Sequence, residues 1–370
     1  MSGAGVSGAG EGASAGGGLP VAPRDDLALV EGYHSPQVDV EVRLNTNEAP
    51  WPPPPGFVDA LADEVRTIAF NRYPDRAARE LRAALAELHG VRTEQIFAAN
   101  GSNEVIQCLL LAFGGPGRAA AVFEPTYLLH THIAKITGTE VLTGRRSEDL
   151  SLDVAEFERI NSAHRPAVTF ICSPNNPTGR SESREVIEAV AAQAAGLVVV
   201  DEAYGQFARW SALPLVTDQG RVVVVRTFSK TWSMAANRLG YVVAPAGVVS
   251  VLEDVALPYH LDAIKQAAGR VALRFRAEME ARIAGVVEER GRIAARLSEL
   301  DVQTWPSDAN FVLFRPLNRG AKEVWSGLVE RSVLVRDCSE WPGLEGCLRV
   351  TVGTPEENGR FLTALTEVLV

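Results

Sequence analysis

Val222-Val-Val-Val-Arg-Thr-Phe-Ser-Lys230 is the stretch on which the reading of this chain turns. Four consecutive β-branched residues favour extended backbone, and an apolar run without alternation suits a strand buried on both faces. Such strands belong to parallel sheets covered by helices on each side. The run ends in a lysine, and Arg238-Leu-Gly-Tyr follows eight residues on. An ammonium delivered to the end of a buried strand is costly unless something uses it. Lys230 is therefore a candidate for chemistry.

Outward from this stretch the same pattern repeats. Apolar runs at 119–123, 167–172, 197–200 and 240–243 alternate with helical spacing near 103–113, 128–137 and 182–195. This predicts an α/β fold with a mostly parallel central sheet and helices on both faces, whose ligands sit at the carboxyl ends of the strands. Upstream, helical patterns at 57–70 and 76–89 flank Asn71-Arg-Tyr-Pro-Asp75, behind the stiff Trp51-Pro-Pro-Pro-Pro55. Downstream, one long helical pattern over 262–300 leads to a smaller α+β unit with strands at 311–315, 332–336 and 347–351 and a helix from 355. The expected division is a disordered Gly/Ala/Ser-rich tail over 1–20, then an N-terminal arm and part of a small domain over 21–65. A large domain follows over 66–264, and the rest of the small domain over 265–370.

Composition narrows the classes. A chain of 370 residues, 46% hydrophobic, can bury a large core. Its net charge of −10 argues against broad nucleic-acid or anionic-membrane surfaces, so a bound phosphate must be met by local arginines and helix ends. The four cysteines show no CxxC pairing and the histidines no HExxH, which predicts no metal site and a reducing cytoplasm. His130 and His132, an alternating pair, read as surface or helix decoration rather than as a ligand set. No apolar run reaches the roughly 18–20 residues that cross a bilayer, and the first twenty residues lack the plan of a signal peptide.

Four further segments carry chemistry at the expected strand ends. Asn100-Gly-Ser102-Asn103-Glu opens a helix, where backbone N–H groups and a hydroxyl suit a phosphate; an ordinary N-cap reads the same way. Tyr127 in Glu124-Pro-Thr-Tyr127 can stack on a planar ring or simply pack. Ser173-Pro-Asn-Asn176-Pro-Thr-Gly179 holds Asn176 between prolines as a donor to a phenolate oxygen, an odd choice for a bare turn. Val198-Val-Val-Asp201-Glu-Ala-Tyr204 places a carboxylate after a buried strand, where it needs a cation, with Tyr204 close behind. Thr227, Ser229 and Arg238 add hydroxyls and a guanidinium fork beside Lys230.

Together these segments resemble the fold-type I pyridoxal-phosphate aminotransferases over nearly all of residues 40–370, and within them the histidinol-phosphate aminotransferases. The resemblance implies pyridoxal 5'-phosphate as cofactor, linked as an imine to Lys230, with Asp201 at the pyridine nitrogen. Asn176 and Tyr204 then meet the ring oxygen, Tyr127 stacks on the ring, and Ser102, Asn103, Thr227, Ser229 and Arg238 form the phosphate cup. Tyr73 in Arg-Tyr-Pro-Asp matches a tyrosine that reaches the neighbouring subunit's cofactor, which implies a homodimer with shared active sites. Arg336 and Arg349 match residues that hold a substrate anion, and Tyr33 and Asn45 are further substrate-side matches. The implied reaction interconverts L-histidinol phosphate and 2-oxoglutarate with imidazole acetol phosphate and L-glutamate.

Departures fall near the lysine, where Trp232 and Asn237 are bulkier than the family pattern, and in the arm, which reads Glu48-Ala-Pro-Trp51. An aromatic or secondary-metabolite aminotransferase, a phosphothreonine decarboxylase and a binding or regulatory protein on the same fold are the rival readings.

Overall fold

The computed structural model describes residues 38–370 together with Val21, Arg24 and Leu27; the Gly-rich start and Tyr33 lie outside the described residues. In chain order the elements begin with β1 (Val42–Leu44), α1 (Phe57–Thr67), α2 (Arg79–His89), β2 (Ile96–Ala99), α3 (Ser102–Phe113) and β3 (Ala119–Glu124). Next come α4 (Leu128–Ile136), β4 (Glu140–Arg145), α5 (Val154–His164), β5 (Val168–Cys172), α6 (Arg184–Gln193), β6 (Leu197–Asp201), β7 (Val222–Thr227) and β8 (Gly240–Val243). The chain then runs through α7 (Ala246–Val255), α8 (Ala263–Arg274), α9 (Arg276–Leu297), β9 (Val302–Thr304) and β10 (Phe311–Pro316). It closes with α10 (Ala321–Glu330), β11 (Val333–Asp337), β12 (Leu348–Thr351) and α11 (Pro355–Leu369). Among the described residues, no helix is long and apolar enough to cross a membrane.

The valine run explains the larger sheet. Its strands lie in the order β2-β8-β7-β6-β5-β3-β4. Their pairings are parallel except at β8, which runs against both β2 and β7. Alternate side chains of β7 enter opposite cores. Val223 and Val225 join Val105 and Leu109 of α3 and Leu252 of α7. Val222 and Val224 join Phe157 of α5 and Ile187 of α6. Full burial of each valine contributes roughly 1.5–3 kcal/mol, which offsets the entropy of fixing the strand. Arg226, the charge within β7, is buried against Glu202 at 2.6 Å.

Seven strands and helices escape the sequence pattern: β1, β2, β4, β9, α5, α7 and α10. The edge strand β4 is largely exposed and mixed in composition, so it carries no apolar run. Helix α5 buries only Phe157 and Ile160, and α7 is a second helix hidden behind an apolar stretch. Elsewhere boundaries move. The helix expected from 76 begins at Arg79, because the Asp75 carboxylate accepts from the N–H groups of Ala77 at 3.1 Å and Arg79 at 2.9 Å and holds the intervening turn. The single helix expected over 262–300 is two, broken at Phe275, whose ring meets Phe57 edge-on at 6.3 Å. That break keeps α8 against the larger sheet. Phe57 of α1 and Val271 of α8, from segments given to the small domain on sequence, share a core with Ile96 and Tyr241.

The second sheet has the order β1-β11-β12-β10-β9. β1 pairs in parallel with β11, so the N-terminal segment is stitched to the end of the chain. In the antiparallel β11–β12 pair, Arg336 lies directly opposite Arg349.

Candidate active site

The carboxyl ends of β6 and β7, the start of α3 and the segment after β1 enclose a cavity of about 390 Å³. Lys230 lies three residues beyond β7, and its Nζ donates to the Thr46 carbonyl at 3.0 Å. Burial, then the nearby Arg349 and Arg238 cations, pull its ammonium down to about 8, against the opposing pull of Glu48. The result is an amine substantially closer to neutrality at physiological pH than a surface lysine.

Asp201 ends β6 and is buried. Its Oδ1 accepts from the Ala203 N–H at 3.0 Å, and its Oδ2 lies 2.9 Å from Nε2 of His130. His130 is fully buried, stacked on Phe170 at 4.6 Å and met edge-on by Tyr127 at 5.3 Å. The expectation of mere surface or helix decoration is overturned: helix α4 carries this residue inward, against the Asp201 carboxylate. Next to Asp201, the Tyr204 phenol accepts from Asn47 Nδ2 at 2.9 Å, and burial holds its pKa above the ordinary tyrosine value. Asn176 accepts from Arg349 through Oδ1, leaving the NH₂ end of its amide as the donor. Arg349 also donates to the Asn45 carbonyl at 2.9 Å and lies 5.1 Å over the Phe311 ring.

A further set of groups lining the cavity forms an anion cup. Helix α3 starts at Ser102 and presents the N–H groups of its first turn and the positive end of its dipole. Thr227 Oγ1 donates to Ser229 Oγ at 3.0 Å, and Arg238 donates to the same oxygen at 3.2 Å. Two glycines make the close approach feasible. A Cβ on Gly101, at φ +86°, would lie 2.9 Å from Arg238 Nη2, and one on Gly240 would lie 2.3 Å from the Ser102 nitrogen. Tyr127 closes the side, its hydroxyl donating to Asn103 Oδ1 at 3.2 Å. A phosphate fits the cup, and a protonated ring nitrogen fits the Asp201 carboxylate.

Of the residues expected on sequence, Ser102, Asn103, Tyr127, Asn176, Asp201, Tyr204, Thr227, Ser229, Lys230, Arg238 and Arg349 all line this cavity. Arg336 is buried beside Arg349 with its guanidinium 5.8 Å from the Trp341 ring, and does not line the cavity. Asn45 contributes its carbonyl rather than its side chain to the Arg349 contact, and its neighbours Thr46, Asn47 and Glu48 line the wall instead. Tyr73 is 79% exposed and stacks on Tyr259 at 4.4 Å, outside the cavity of its own chain. Trp232 and Asn237 do not crowd the site: Trp232 packs on Phe228, and the small Ala235 and Ala236 form the wall.

Residues 39–365 match the family described as aminotransferase class I and II. The histidinol-phosphate aminotransferase of Frankia casuarinae is 47% identical over 95% of this chain and 91% of its own length. That of Corynebacterium efficiens is 43% identical over 93% of this chain and 94% of its own. The structure of histidinol-phosphate aminotransferase from Sinorhizobium meliloti in complex with pyridoxal-5'-phosphate superposes with a TM-score of 0.81 at 21% identity. The match covers 89% of this chain and 91% of that one. At that identity the superposition carries the fold.

Proposed function

The chain belongs to the aminotransferase class I and II family, and from that premise we propose that it interconverts L-histidinol phosphate and 2-oxoglutarate with imidazole acetol phosphate and L-glutamate in the cytoplasm. The observation that carries the reading is one cavity lined by an anion cup, by the His130-held Asp201 and by the Lys230 amine. Identity of 42–47% to eight histidinol-phosphate aminotransferases supports the choice of substrate.

When bound, pyridoxal 5'-phosphate supplies an aldehyde that carries the amino group and a pyridinium ring that draws electrons from the substrate's α-carbon. The chain's residues do the rest. Ser102, Asn103, Thr227, Ser229 and Arg238 would hold the phosphate, and Asp201 would keep the ring nitrogen protonated. Asn176 and Tyr204 would hold the ring oxygen, with Tyr127 against the ring face. Lys230 would hold the aldehyde and, with its amine kept near neutrality, would move the proton at the substrate's α-carbon. A positioned amine of this kind is typically worth ~10²–10⁴-fold in rate. Arg349, with Arg336 beside it, would meet the substrate's carboxylate or phosphate. Tyr73, which lies outside its own chain's cavity, would serve the cup of the partner in a homodimer.

The test is a pair of half-reactions. The enzyme carrying the amino form of the cofactor is mixed with imidazole acetol phosphate or with phenylpyruvate, and the return of absorbance is followed. Faster return with the phosphate ester is expected; equal rates would remove the histidinol phosphate assignment.

A further inference from the structure

Asn47 was not singled out on sequence, yet four of its polar groups are tied into the cavity wall. It is buried and sits at φ +55°, in the left-handed region that asparagine tolerates better than most residues. Its backbone N–H donates to Thr351 Oγ1 at 3.0 Å, and its carbonyl accepts from Asn310 Nδ2 at 3.2 Å. The Thr351 hydroxyl has a single proton, and it goes to Asn47 Oδ1 at 3.0 Å. The amide is seated with its oxygen toward Thr351 and its NH₂ end toward Tyr204, whose phenolic oxygen lies 2.9 Å away.

The consequence falls on a proton. A phenol that accepts from Asn47 keeps its own hydrogen for another acceptor, and Tyr204 lines the cavity beside Asn176 and Lys230. We infer that Asn47 is a positioning residue that sets the Tyr204 hydroxyl as a donor into the cavity, toward the ring oxygen of the bound cofactor. The polarity starts at Thr351 of β12, so a strand of the smaller sheet influences how a side chain just beyond β6 presents its hydrogen. Reversing the amide would let Tyr204 spend its proton on Asn47 and leave the ring oxygen one donor short. The inference rests on the cofactor placement proposed above.

The experiment follows the pH at which the loaded enzyme changes its visible absorbance. A donor on the ring oxygen withdraws charge from it and lowers that pH, so losing the donor raises it. Tyr204→Phe should raise the transition, and Asn47→Ala should raise it by about half to one pH unit, the equivalent of one ordinary hydrogen bond. The double variant Asn47→Ala/Tyr204→Phe should match Tyr204→Phe alone, because Asn47 acts through that hydroxyl. Asn47→Ala shifts of equal size in both backgrounds, or no shift while Tyr204→Phe moves, would overturn the inference. If Asn47→Ala fails to fold, Thr351→Val removes the group that orients the amide and is read the same way. A wild-type protein that takes up no coloured cofactor on Lys230 would instead overturn the reading of the site.

Discussion

Lys230 and His130 show how far single residues can be pushed by their surroundings. The Lys230 amine titrates at about 8 in the folded chain, against 10.5 for an ordinary lysine. Between those values the unfolded chain binds more protons, so the stability of the cofactor-free protein should rise as pH climbs from about 8 toward 10.5. Lys230→Met should abolish that rise, which denaturant titrations at several pH values would reveal. His130→Phe should destabilise the cofactor-free protein by roughly 1–3 kcal/mol, since it strips a buried carboxylate oxygen of its partner; equal denaturation midpoints would contradict this. Lys230 and Asp201 were legible in the sequence because each puts a charge at the end of an apolar run. His130 and Asn47 were not, because their partners lie 71 and 157 or more positions away, and local pattern carries no trace of such pairings.

At the scale of elements, the cup depends on β8 lying close under the first turn of α3. Gly240 permits it, since any larger residue would drive a Cβ into the Ser102 nitrogen and the Gly101 backbone. Gly240→Ala should therefore weaken pyridoxal 5'-phosphate binding at least about tenfold, through a displaced helix start rather than a lost contact. Equilibrium dialysis would measure this, and unchanged affinity would show that α3 can yield. The buried strands were legible because an unbroken valine run suits little besides a strand covered on both faces. The edge strand β4 and the lightly buried α5 were not, for their residues face water too often to leave a periodic signal. The break at Phe275 is a tertiary effect: an aromatic ring docked on α1 ends a helix that local propensity would have continued.

At the scale of the molecule, the exposed Tyr73–Tyr259 stack is the feature that a second copy would explain. Mixing Lys230→Ala protein with Tyr73→Ala protein should restore activity to about a quarter of wild type, because half of randomly exchanged dimers would be hybrids with one intact site of two. No recovery after subunit exchange would remove the shared-site proposal. The larger architecture was readable from the alternation of runs; the way β1 crosses to β11 was not, since three residues at a sheet edge carry no pattern. One pairing in that smaller sheet has a wider meaning. Arg336 and Arg349 stand directly opposite one another and both are buried. Arg349 lines the cavity, while the Arg336 guanidinium lies 5.8 Å from the Trp341 ring. The wall proposed to receive a substrate anion is thereby part of the smaller sheet's own strand pairing, so recognition and the integrity of that sheet would share one residue.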